Sequence, residues 1–419
     1  MKTTILLLQL VLLFSNCRST DNEDIKDGPS VATHLDSVPV PGLTPQLKKM
    51  QAAIRAFADS TFKGRLNGAI LVAKDGQILY EKYDGFSMYR SKKDSITANS
   101  SFHLASVSKT ITGIAVLKLS QDGKLNVNDS ITKYFPAFPS PGVTIKSLLN
   151  HRSGLPNYAH FMDRLGWDKK TKVTNHDVLD FLIARHEDID IGAADRRFSY
   201  SNTNYALLAL IIEKASGMSY KEYLKQTIFQ PFGMKDSYVF TLEDSARSMP
   251  SYFNNGRQYA FDFLDLVYGD KNIYSTPHDL LKLDIALSSG VILRQDILDA
   301  ACTPYSFEKP GTHNYGLGWR LLMLKNGKKV IYHNGWWHGN RTAFYRLPEE
   351  KVTIIALCNN DSKMIYSVRK LADLFGDYLQ TGPKSDGSGS IVRTNYRNIK
   401  SRYAIAPSGR HSRSIASKK

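Results

Sequence analysis

The chain has 419 residues, 42% of them hydrophobic and 22% charged, which is enough apolar side chain for a sizeable core and argues against a disordered or fibrous protein. Its formal charge of +16 looks like a nucleic-acid footprint until it is mapped: Pro383 to Lys419 carries nine Lys or Arg against one acid, Asp386, so half the excess lies in a tail and nucleic acid is not an expected partner. Three cysteines without metal-type spacing exclude a disulfide scaffold and a cysteine metal site.

In chain order, Lys2 precedes an apolar run from Ile5 to Phe14. That is about half of the ~20 residues a membrane span needs, so it reads as the core of a secretion signal. Leu13-Phe14-Ser15-Asn16-Cys17 resembles, loosely, the cleavage box of bacterial lipoproteins, with Asn16 bulkier than the usual small residue. That resemblance implies lipid on Cys17, a membrane contact through it, and a periplasmic or membrane-anchored location. Residues 18–44 are polar, with Pro39, Pro41 and Gly42, and fit a flexible tether.

Thr44 as N-cap and Pro45 at the first helical position open a helix whose Leu47, Met50, Ile54 and Phe57 share a face. Gly68 to Ala73 and Gln77 to Tyr83 flank Lys74-Asp75-Gly76, a hairpin pattern. From Ser106 to about Leu298 the chain is expected to be mainly helical. Trp319 to Leu324, Lys329 to His333, Thr342 to Leu347 and Val352 to Leu357 read as strands, and Lys363 to Leu379 as an amphipathic helix with Ile365, Val368, Leu371 and Phe375 inward. Cys358 falls in an apolar strand and is expected to pack as a small hydrophobe, although a pairing with Cys302 stays open. The tail, residues 381–419, opens on a Gly/Ser-rich stretch without hydrophobic period and reads as disordered. Strands at both ends with helices between predict an α+β fold. One antiparallel sheet is built jointly by the N- and C-terminal parts, flanked by helices, with an inserted helical subdomain, over residues 45–380.

Ser106-Val107-Ser108-Lys109 sets a nucleophile and an amine three residues apart at the mouth of an apolar helix. Residues at i and i+3 share a helix face, and an adjacent amine is one of the few groups that activates a serine hydroxyl. Tyr200-Ser201-Asn202 follows, just before the apolar run Tyr205 to Ile212, and His333-Asn334-Gly335 then ends an extended segment. In this order the three motifs resemble the active-serine β-lactamase and penicillin-binding superfamily, in its class C branch. Further phrases strengthen the likeness, among them Leu148-Leu149-Asn150-His151-Arg152-Ser153-Gly154-Leu155-Pro156 and Tyr315-Gly316-Leu317-Gly318-Trp319.

The resemblance implies a serine hydrolase working through an acyl-enzyme, with no cofactor and no metal. Ser106 is the expected nucleophile, and Lys109 and Tyr200 the shared base. The backbone N–H groups of Ser106 and Trp336 form the oxyanion hole beside Asn334 and Gly335, and Asn202 hydrogen-bonds Lys109 and a substrate amide. The penicillin-binding pattern has lysine where this chain has His333, an imidazole mostly neutral at pH 7. An ester or a D-amino-acid amide is therefore expected in preference to a β-lactam. A true β-lactamase or D-alanyl-D-alanine carboxypeptidase, and a non-catalytic binding or sensor module, are the alternatives. His333 and His338 lack acidic neighbours in sequence, which argues against metal, and Trp336-Trp337 is expected to wall the acyl pocket.

Overall fold

The computed structural model describes residues 42–380; the expected export signal, Cys17, residues 18–41 of the tether and the tail 381–419 lie outside them. Thr44 caps the Pro45–Phe62 helix by accepting from the Leu47 N–H, and Ile54, Ala58 and Phe62 are its buried face. Twelve strands follow among the described residues: β1 (Gly68–Lys74), β2 (Gln77–Asp84), β3 (Phe86–Met88), β4 (Lys93–Ser95), β5 (Phe102–His103), β6 (Tyr238–Val239), β7 (Ile273–Ser275), β8 (His313–Tyr315), β9 (Arg320–Met323), β10 (Lys329–Trp337), β11 (Asn340–Leu347) and β12 (Val352–Cys358). The β1–β2 hairpin turns at Asp75 and Gly76, both at positive φ, the geometry a tight hairpin demands.

The main sheet has seven strands in the order β2-β1-β12-β11-β10-β9-β8, with antiparallel neighbours throughout. The N-terminal hairpin is thus sealed to the C-terminal meander through β1 and β12, as the sequence implies. Side chains alternate across this sheet. Ala69, Leu71, Ile331, Phe344 and Ile355 face the helical half of the molecule, whereas Ile70, Val72, Tyr332, Ala343 and Ile354 face the Pro45–Phe62 helix and the closing C-terminal segment. That segment, Lys363–Leu374, is a 3₁₀ helix and not the expected α-helix. Its buried residues Ile365, Val368 and Leu371 recur every third position, which stacks them on one face when the turn takes three residues. Cys302 and Cys358 are both free and buried.

Two long apolar helices, Ser108–Gln121 and Asn202–Ser216, form the centre of the helical half. Both are buried nearly all round, so neither has a marked polar stripe. A small sheet in the order β5-β7-β6 joins the start of the first helix to the helical region. Its two- and three-residue strands are too short to leave an alternation in the sequence.

Candidate active site

The site is assembled where the Ser108–Gln121 helix begins. β5 pairs with β7, His103 opposite Tyr274, and the chain then turns through Leu104 and Ala105 into a 3₁₀ turn, Ala105–Val107. Ala105 has φ +49°, a left-handed conformation that a residue with a Cβ adopts at a cost. Next to it Ser106 is half-buried, and Lys109, 0% exposed, donates from Nζ to Ser106 Oγ at 3.2 Å and to the Asp270 carbonyl at 2.8 Å. Its Nζ lies 5.2 Å from the Tyr200 ring centroid and 5.6 Å from that of Tyr205. A buried amine so fixed, with its tip on a serine hydroxyl, suits proton exchange with that hydroxyl.

β10 comes alongside this turn at a glycine. A Cβ on Gly335 would stand 2.1 Å from Thr342 Oγ1, 2.4 Å from the Leu104 carbonyl and 3.0 Å from Ala105 Cβ, so only glycine lets the strand approach. Thr342 Oγ1 donates to the Leu104 carbonyl at 2.6 Å and closes the same seam. β9 pairs with β10 only as far as Tyr332, so from His333 to Trp337 that edge of β10 borders the serine turn, while the other edge stays paired with β11. Backbone N–H groups on such an edge are what an oxyanion requires.

Tyr200 enters from the segment preceding the Asn202–Ser216 helix. His151 packs on it with ring centroids 4.3 Å apart, and Arg320 places its guanidinium 4.8 Å from the ring centroid. The backbone N–H of Ser201 and the Asn204 amide donate to His151 Nδ1 at 3.2 and 3.0 Å. Burial, with Lys109, Arg320 and His333 as further causes, holds His151 well below the ordinary imidazole range. Both Lys109 hydrogen bonds go to other groups than Asn202, whose buried Oδ1 has no hydrogen-bond partner.

His333 departs from the expectation that it titrates near neutrality. It is 0% exposed; its Nδ1–H donates to the Asn334 carbonyl at 2.8 Å, which leaves Nε2 to accept from the Tyr315 hydroxyl at 3.0 Å. Burial, then the charges of Arg320 and Lys109, hold its pKa well below the usual value. It is a neutral, fully hydrogen-bonded residue of the strand. The permanent cation near the phenol is Arg320, which with Arg197, Phe198, His313, Tyr315 and Tyr332 borders a cleft of about 460 Å³. Nothing in the local sequence around Arg320 distinguishes it, because its role depends on β9 lying beside β10.

The tryptophan pair divides between the faces of β10. The Trp336 side chain is 61% exposed and stacks on Arg341, 4.4 Å from guanidinium to ring, on the sheet face opposite Ser106. It does not wall an acyl pocket, and only its backbone N–H remains a candidate for the site. Trp337 is on the near face and donates its indole N–H to Asp265 Oδ1 at 2.6 Å. His338 also meets Asp265, at 3.1 Å, with Asp262 close by, so it does have the acidic neighbours that sequence proximity failed to show. Asp265 already accepts from Trp337, from the Asp262 N–H and from His338; the cluster is a hydrogen-bonded brace.

Comparison with known proteins gives the family and the fold. Residues 50–374 match the family described as Beta-lactamase. Penicillin-binding protein 4* of Bacillus subtilis (strain 168) is 32% identical over 338 residues, covering 75% of this chain and 73% of its own length. Among solved structures, a penicillin binding protein from Bacillus halodurans superposes with TM-score 0.65 at 24% identity, over 80% of this chain and 100% of that one. D-amino acid amidase from Ochrobactrum anthropi SV3, complexed with L-phenylalanine amide, gives 0.63 at 25% identity, over 78% and 97%.

Proposed function

The chain belongs to the beta-lactamase family of serine hydrolases, and from that footing we propose that it cleaves an ester or a D-amino-acid amide through an acyl-enzyme on Ser106. The observation that carries this reading is the hydrogen bond between buried Lys109 and Ser106 Oγ, 3.2 Å long, beside the Tyr200 ring. In the proposed reaction Ser106 Oγ bonds to the acyl carbon and its proton passes to the Lys109–Tyr200 pair. The negative oxygen of the tetrahedral intermediate is met by the N–H groups of Ser106 and Trp336, and the relayed proton leaves with the alcohol or amine. Water then repeats the sequence on the acyl-enzyme. Asn202, with Oδ1 unpartnered, is the polar side chain assigned to the substrate amide; Asn334, expected there too, shares the Trp336 face of β10, where it meets Tyr345.

Arg320 favours a second reading. A guanidinium beside the Tyr200 ring is suited to a substrate carboxylate, which a D-alanyl-D-alanine carboxypeptidase or a β-lactamase requires and an amidase does not. Hydrolysis of p-nitrophenyl esters, D-phenylalanine amide, nitrocefin and a D-alanyl-D-alanine peptide by the purified protein separates the two. Turnover of the neutral substrates supports the first reading, and turnover confined to carboxylate-bearing ones supports the second. Inertness toward all four, with no labelling of Ser106 by a fluorophosphonate, contradicts both and leaves a binding module.

A further inference from the structure

His103 stands three residues before the serine and takes no part in the chemistry just assigned, yet it is 4% exposed and polar. Its Nδ1 accepts the backbone N–H of Ala105 at 3.0 Å, so the proton of the neutral ring sits on Nε2, which donates to Asn272 Oδ1 at 3.0 Å. Asn272 in turn donates from Nδ2 to the Asp265 carbonyl at 2.6 Å, the residue that also ties Trp337 and His338.

What His103 holds is the strained residue. Ala105 has φ +49°; its carbonyl accepts from the Ser108 N–H at the helix start, and its own N–H is taken by His103. With both polar groups of one residue fixed, its φ and ψ are fixed, and with them the direction of the Ser106 Cβ–Oγ bond and of the Ser106 N–H. The ring thus imitates, through a side-chain atom two residues back, the turn that an Asn or Asp side chain makes with the N–H two residues on.

We propose that His103 is a positioning residue: its neutral Nδ1 locks the left-handed Ala105 turn that aims Ser106 at the acyl carbon, and through Asn272 it links that turn to the Asp265 brace. The proposal rests on Ser106 being the nucleophile, so the wild-type labelling rate is its control. Misaiming a reactive group by a fraction of an ångström slows the chemical step more than binding.

Two substitutions separate the two ends of the ring. His103→Asn keeps an acceptor at the position of Nδ1 and drops the link to Asn272; His103→Gln reaches toward Asn272 and withdraws the acceptor from Ala105. The rate constant for fluorophosphonate labelling of Ser106, with kcat and KM on an ester, is measured for each. Asparagine is expected to stay within about threefold of wild type. Glutamine is expected to lose about tenfold or more in labelling and kcat with KM nearly unchanged. Equal losses in both, or none in either, would show His103 to be packing only and overturn the proposal. The ring is also read without substitution: long-range ¹⁵N–¹H correlation on histidine-labelled protein is expected to show Nδ1 bare and Nε2 protonated at neutral pH. A proton on Nδ1 would overturn the proposal even if wild-type Ser106 failed to label.

Discussion

Three residues of the site were legible because their chemistry is local in sequence. Ser106 and Lys109 lie one helical turn apart, and Tyr200 immediately precedes a buried helix; the structure brings all three together. The state of His333 is not legible in the motif because burial is not written there: three residues contributed by other strands and helices, Tyr315, Arg320 and Lys109, help to decide it. Replacing His333 by Lys is therefore expected to put a third cation beside Arg320 and Lys109 in a site closed to water. Thermal unfolding should register a loss of about 3–5 kcal/mol, and anionic substrates should gain nothing. An improvement in their turnover would show the side chain facing the cleft after all. Gly335→Ala forces a Cβ to 2.1 Å from Thr342 Oγ1, so β10 must move off the serine turn. Labelling of Ser106 should fall by about 10² or more, with the helical half still folded by circular dichroism; an unchanged rate would mean that the strand edge is not part of the site.

At the level of elements, periodicity locates the first helix because it buries one face, whereas β1, β11 and β12, buried on both faces, are legible as short apolar runs between turn residues. It failed for the Lys363–Leu374 segment, where a spacing of three among Ile365, Val368 and Leu371 satisfies a 3₁₀ turn, and for β5, β6 and β7, which are too short to show a pattern. Ser108 illustrates what such short pieces do. Its hydroxyl accepts the Ile273 N–H at 3.2 Å, pinning β7 to the first turn of the Ser108–Gln121 helix. Ser108→Ala leaves that buried donor unpaired, an expected cost of about 1–3 kcal/mol, measurable as a lower urea midpoint. Labelling of Ser106 should be reduced far less than by removal of Ser106 itself. The Trp336-Trp337 doublet is the other lesson of element geometry: adjacent residues on a strand take opposite faces, so the pair could never have lined one pocket.

For the whole molecule, three buried histidines set the response to acid. His103 is held to about 4 by burial, and burial pushes His151 and His333 well below the ordinary value. Each is neutral when folded and gains a proton when the chain unfolds below about pH 6.5. The unfolded state then binds more protons, so stability is complete above that pH and declines as pH falls toward 4, by on the order of 1.4 kcal/mol per pH unit for each histidine involved. A melting temperature flat between about pH 7 and 4.5 would contradict this account of the core. The expected lipid anchor is tested separately: Cys17→Ser should move the protein from the membrane to the soluble fraction without changing specific activity, and unchanged fractionation would leave simple secretion. The overall architecture was legible because a sheet built from both chain ends announces itself in strands flanking a helical middle. The Asp265 brace was not, since a loop around Asp262 and Asp265 meets Trp337 and His338, at the end of β10, from far away in the chain.

The central claim is that Ser106 is a nucleophile served by Lys109. Mass-spectrometric mapping of the full chain after fluorophosphonate treatment tests it most directly, run in parallel on wild type, Ser106→Ala and Lys109→Met. The account predicts one adduct, on the peptide containing Ser106, absent in Ser106→Ala and formed about 10² times more slowly or worse in Lys109→Met. An adduct that survives in Ser106→Ala, or a Lys109→Met protein that labels at the wild-type rate, would contradict it.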